Sequence, residues 1–211
     1  MTSSELKQRV LEAARKEASP TRAVVRQREV VHLLAALGVA LAVFVSSRGV
    51  RVGDRPLALL AGTALGAAVL AAIIGTLALG RGRSMLGRSQ QLLWSVAILS
   101  PAALLAWKIG WTARYDVLGP MRLGFRCLGL SLAMGTAPLA VLLATRRRSD
   151  PLHPTATGAA VGATVAAIAW VLVDLWCPVG YVRHLMIGHV LPCVLFIAAG
   201  ALLGRRYVAL R

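Results

Sequence analysis

Six runs of apolar residues, separated by short polar or Gly/Pro-containing segments, divide most of the chain: Val30–Ser47, Pro56–Leu79, Leu92–Trp107, Leu128–Thr145, Thr155–Val173 and Leu185–Gly204. Each approaches the roughly 20 residues that an α-helix needs to cross a hydrocarbon core, with polar ends reaching back to the surface. The third run is interrupted by Pro101 and closed by Lys108, so its limits are less sharply marked. The connecting segments, Arg48–Arg55, Gly80–Gln91, Lys108–Arg126, Arg146–Pro154 and Asp174–His184, are too short to house a second domain. The pattern predicts an all-α polytopic membrane bundle of about six transmembrane helices over residues 30–204. A charged tail at 1–29 precedes it, and a short one at 205–211 follows.

Composition agrees with that pattern: 57% of the residues are hydrophobic and 15% charged, too little polar surface for a soluble domain. A net charge of +16 would suggest nucleic acid as the partner of a soluble protein. Here the cations fall mainly between the apolar runs, where they set orientation, and no direct nucleic-acid contact is expected. With the N-terminus inside, sixteen of the 24 Lys and Arg residues lie on the cytoplasmic side, which predicts that both ends are cytoplasmic. Trp107, Trp111, Tyr115, Trp176 and Tyr181 then gather near the outer helix ends as an interfacial belt. Gly62 and Gly66, and again Gly158 and Gly162, form G-x-x-x-G pairs that predict close helix packing and could also mark a homodimer face. The stretch Met1–Glu29 carries no apolar core or cleavage site of a signal peptide, and is expected to be retained.

Within the tail, Ser3 or Ser4 can cap a helix whose first turn holds Glu5, and Ser19-Pro20 would end it. Leu6, Val10, Ala13, Ala14 and Glu17 recur at helical spacing, with Leu11 at the edge of the stripe. Such a helix is too short to be stable alone in water, so it stays frayed, lies on the bilayer or docks on a partner. Four Glu among seven Lys and Arg in the tail argue mildly against a purely lipid-bound helix. The partner-binding candidates are Leu6, Val10, Leu11 and Ala14.

The predicted topology puts Cys127 at the outer end of the fourth run and Cys177 at that of the fifth. His184 and His189 open the sixth, and Asp174 stands one turn before Cys177. Two thiols on one face can close a disulfide or, with imidazole help, hold a soft metal; either would make a sensor. His184, His189 and Asp174 are the candidate metal ligands beside them. The spacing is not that of a zinc finger, and five residues place His184 and His189 on different faces of a regular helix. Sharing one ion would then require His184 to lie in the preceding loop. Cys193 is expected to pack in the bundle, and His32 and His153 to be interfacial. Asp174 is expected to pair with Arg126 or Arg183.

Motifs of phosphate-loop, zinc-protease or serine-hydrolase type are absent from the sequence, so an enzyme is not expected and no cofactor is required. The order of features resembles the NrsF family of six-span bacterial membrane anti-sigma factors, negative regulators of extracytoplasmic-function sigma factors, and membrane regulators of that type from myxobacteria. The resemblance runs over nearly the whole chain. It rests on a short charged tail, six spans, Cys127 and Cys177 fifty residues apart, and a terminal H-x-x-x-x-H-x-x-P of His184, His189 and Pro192. It implies a protein of the bacterial inner membrane whose tail sequesters a sigma factor. On the same footing, Cys127 and Cys177 would be needed for release under stress, heavy metals being one signal; oxidation is the second signal that the chemistry of two thiols itself offers. Two rival expectations stand beside it. A small transporter or permease subunit would use a polar path around Asp174, and a thiol-redox membrane protein would want a C-x-x-C that the sequence lacks.

Overall fold

Long apolar runs fold as helices in hydrocarbon because each backbone N–H and C=O must find its partner within its own segment. The computed structural model describes residues 22–47, 49–50, 55–79, 88–115, 122–146 and 152–209. Every regular element among them is helical: α1 (Arg22–Ser46), α2 (Leu57–Leu79), α3 (Gln90–Tyr115), α4 (Phe125–Thr145), α5 (Pro154–Trp176) and α6 (Val182–Tyr207). Within α6, a first turn at Val182–Leu185 and a long segment at Leu191–Tyr207 flank one π-helical turn, Met186–Val190. The helices α2 to α6 are long and apolar enough to cross a membrane. The apolar part of α1, Val30–Ser46, is shorter, rising about 25 Å.

Several helix limits differ from those expected. The helix α1 begins at Arg22, so the predicted boundary between tail and bundle at residue 29 falls inside it. The partner-binding candidates Leu6, Val10, Leu11 and Ala14 lie outside the described residues. Pro101 does not end the third helix, which continues through Lys108 to Tyr115. Its missing N–H leaves the Ala97 carbonyl to the Ser100 hydroxyl, at 3.4 Å, so the interruption is repaired locally. At the other end of the chain, α6 runs to Tyr207, past the expected limit at 204.

Hydrogen bonds between helix ends show that successive helices alternate in direction. At one end Trp176 Nε1–H donates to the Ser47 carbonyl, at 2.9 Å, and Arg55 reaches the last turn of α5. At the other, the Arg146 guanidinium donates to the Leu79 carbonyl and that of Arg88 to Thr76, at 3.1 Å. These cations meet the negative end of α2 and occupy carbonyls the helix cannot satisfy itself.

The helix α5 is the centre of the bundle. Between Ala156 and Trp170 every residue except Ile168 is buried, and α2, α3, α4 and α6 all pack on it. Its sequence of Ala, Gly, Thr and Val lets neighbours approach from all sides. Both G-x-x-x-G pairs are occupied within the chain. Methyl groups on Gly158 and Gly162 would collide with the backbone of α6 at Gly200 and Phe196, and those on Gly62 and Gly66 with the rings of Trp111 and Trp107. Trp107 Nε1–H also donates to the Gly62 carbonyl, at 3.1 Å, so these aromatics pack α3 on α2. Trp176, expected in the interfacial belt, is buried. The helix α1 packs mainly on α4, outside this core.

Candidate functional site: a buried Cys/His cluster

The alternation of helices brings the end of α5 beside the starts of α4 and α6. Cys127 lies in the first turn of α4, and Cys177 is the residue that caps α5, its N–H donating to the Val173 carbonyl at 2.7 Å. Between the two sulfurs sits the imidazole of His184, whose Nε2 is 3.3 Å from Cys127 Sγ and 3.1 Å from Cys177 Sγ. Its Nδ1 faces the Arg122 carbonyl at 2.8 Å. A carbonyl only accepts, so Nδ1 carries a proton and Nε2 is the atom offered to the sulfurs.

His189 joins them through an irregularity of the backbone. On a regular α-helix two residues five apart point about 140° away from each other. In α6 the intervening turn is wider: the Leu191 N–H bonds the Met186 carbonyl, five residues back, and the two rings come to 5.9 Å between centroids. The cause is legible in Pro192, which has no N–H and whose ring would strike the carbonyl four residues before it, that of Gly188. The widened turn avoids the clash, and the Ser131 hydroxyl of α4 lies 3.5 Å from the freed carbonyl. Contrary to the expectation from spacing, both histidines are thus helical and share a side.

Two glycines complete the closure. Gly124, at the N-cap of α4, lies against the backbone of His184 and Gly188, while a methyl on Gly188 would stand 2.9 Å from Cys127 Cβ. The starts of α4 and α6 therefore touch backbone to backbone, and Cys127 is drawn onto the histidines. The Trp170 ring meets His189 edge-on, at 5.0 Å between centroids. The donor atoms of Cys127, Cys177, His184 and His189 all lie within 4.8 Å of one another, and all four residues are buried. All three cysteines are free thiols.

Asp174 is not one of this group. It is fully buried, and its carboxylate pairs with Lys108 Nζ of α3, at 2.5 Å. The expected partners Arg126 and Arg183 are exposed, and the cation that meets the carboxylate inside the bundle is carried in on a neighbouring helix. Lys108 had the look of a span boundary, and its burial is signalled only by the presence of Asp174 at matching depth. Arg55 is a second residue that spacing did not single out. Its Nη1 donates to the carbonyls of Asp174 and Cys177, both at 3.1 Å, and its Nη2 to that of Leu175, at 3.0 Å. It thereby closes the C-terminus of α5 beside Cys177. Burial lowers the Arg55 pKa, and the charges of Asp174 and Cys177 oppose that effect.

The Cys177 thiol, just past the end of α5, is held well below its ordinary pKa. A hydrogen bond from Cys127 is the main cause, and it outweighs the opposing effect of burial. The thiolate is the form of cysteine that attacks electrophiles and ligates metals. Cys193 is elsewhere, buried in the main apolar core with its S–H donating to the His189 carbonyl at 3.1 Å. His32 is exposed on α1 and His153 caps the start of α5, both outside the cluster.

A family model described as NrsF, negative regulator of sigma F, matches residues 13–209, nearly the whole chain. No curated protein and no solved structure matches.

Proposed function

The chain belongs to the NrsF family of negative regulators of a sigma factor, and we propose that it is a membrane anti-sigma factor of the bacterial inner membrane, with both termini cytoplasmic. Its N-terminal segment holds a sigma factor of the extracytoplasmic-function type away from RNA polymerase. The thiols of Cys127 and Cys177, at the outer end of the bundle, receive the signal for release. The observation that carries this reading is the pair of sulfurs, fifty residues apart in the chain, bracketing His184 Nε2 at 3.3 and 3.1 Å.

A soft metal cation would tie Cys127 of α4 to Cys177 of α5. So would an oxidant that takes two electrons and two protons from the thiols and leaves a disulfide. Either event biases the packing of α4, on which α1 rests, and α1 continues without a break to Arg22, where the N-terminal segment joins it. Asp174, which a transport path would use, is committed to Lys108, and this favours a regulator over a transporter. The test is co-purification of a sigma factor with the full-length protein and with a form lacking residues 1–21. Loss of the complex in the shortened form is expected, and an undiminished complex would sink the role given to the N-terminal segment.

A further inference from the structure

His189 is 2% exposed, yet neither ring nitrogen has a hydrogen-bond partner among the described residues. A buried polar group left in this way costs about 1–3 kcal/mol, so the position asks for a ligand. Its neighbours supply the class. Together with Cys127, Cys177 and His184 it offers two sulfurs and two imidazole nitrogens, all within 4.8 Å of one another.

A tetrahedral ion bound at about 2.3 Å by sulfur and about 2.0 Å by nitrogen holds its ligand atoms about 3.3–3.8 Å apart. The two sulfur-to-His184 separations, 3.1 and 3.3 Å, are already close to that spacing. No pair has to close by more than about 1.5 Å.

We propose that Cys127, Cys177, His184 and His189 form a closed, four-coordinate site for a divalent closed-shell cation of the zinc class. The proposal deepens the reading above, resting on its choice of the two thiols and adding both histidines and the kind of ion. Two thiolates and one divalent cation make a centre without net charge of its own, which limits the cost of burying it, while Lys108 and Asp174 neutralise each other and the Arg55 guanidinium is engaged by the carbonyls that end α5. Ligand type selects a borderline or soft metal, and two thiolates with two imidazoles are a set that holds zinc in tetrahedral geometry. The Arg122 carbonyl fixes the His184 ring as such sites require, by taking its other N–H. On binding, protons still held by the two sulfurs leave to solvent.

The experiment uses the reduced, full-length protein in detergent, titrated with Co²⁺ and then with Zn²⁺. Expected is one Co²⁺ per chain, with thiolate-to-cobalt charge-transfer bands and the intense ligand-field bands of tetrahedral cobalt, both erased by Zn²⁺. Cys127→Ser or Cys177→Ser should remove the charge-transfer signal of one thiolate. His189→Ala should weaken Zn²⁺ binding by more than about 100-fold, beyond the effect of losing a mere supporting residue. His189→Cys should restore tetrahedral binding with a third thiolate, and Cys193→Ser should leave the spectrum as in the wild type. A wild-type spectrum in His189→Ala, or weak octahedral bands in the wild type, would overturn the proposal. Because no sigma factor takes part, a failure here is separable from a failure of the anti-sigma reading.

Discussion

Replacing Lys108 by Met leaves Asp174 as a buried anion without its partner. In the structure the two groups are 2.5 Å apart and their side chains 6% and 1% exposed. At that separation and an effective dielectric of about 20 the gross attraction is about 7 kcal/mol, much of which offsets the removal of both charges from water. The measurable loss on breaking such a pair is set by the uncompensated charge, about 3–5 kcal/mol. Arg55 cannot take over without surrendering the carbonyls of Asp174, Leu175 and Cys177. Asp174→Leu, which strands the lysine instead, should lose a similar amount. Lys108→Met with Asp174→Leu, carrying no charge, should return to within about 1 kcal/mol of the wild type or exceed it. Unfolding midpoints in mixed micelles of rising dodecyl sulfate content measure all four proteins. If the single losses add in the double variant, or if Lys108→Met alone costs under about 1 kcal/mol, the pair is not the buried and coupled unit described.

Arg55→Leu should destabilise the bundle by about 3 kcal/mol, because three helix-terminal carbonyls lose a charged donor, and it should speed alkylation of Cys177 as the end of α5 frays; micelle unfolding and timed labelling measure the two effects. Gly188→Ala should cost about 1–3 kcal/mol, since its methyl would meet Cys127 Cβ at 2.9 Å and the Gly124 carbonyl at 3.0 Å. The same variant should part Cys127 from His184, read as a slower oxidative cross-link to Cys177. In cells, Cys127→Ser and Cys177→Ser should each leave a sigma-dependent reporter repressed when metal or oxidant is added, and full induction in both would return the thiols to a packing role.

How far the fold was legible differs from one helix to the next. The runs in α2 and α5 carry no interior charge apart from Asp174, so length alone identifies them. The end of α3 lies beyond its apolar run, and an isolated lysine at the close of such a run looks like the water boundary. Only a carboxylate on another helix can make it an interior residue. The same logic hid Arg55, whose three acceptors are backbone carbonyls more than a hundred residues away and leave no mark in side-chain identity. By contrast Cys127 and Cys177 were placed on one face merely by counting spans, since an even number of crossings separates a helix start from the end of the next helix's return.

The histidines show why a correct set of residues can come with the wrong geometry. His184, His189 and Pro192 were visible as one pattern, but a regular helix sends the two rings apart, and a loop seemed to be the only way to reunite them. What reunites them is the proline within that pattern. By excluding the helical bond to Gly188 it widens one turn, and the residue whose carbonyl it frees is also the glycine small enough to let Cys127 approach. The irregular backbone and the close sulfur therefore have a single origin at positions 188 and 192. A periodicity argument averages over whole turns and cannot detect a change confined to one. Once that turn is widened, a fully buried imidazole is carried into a space shared with two thiols, where an ion could satisfy it as no side chain among the described residues does.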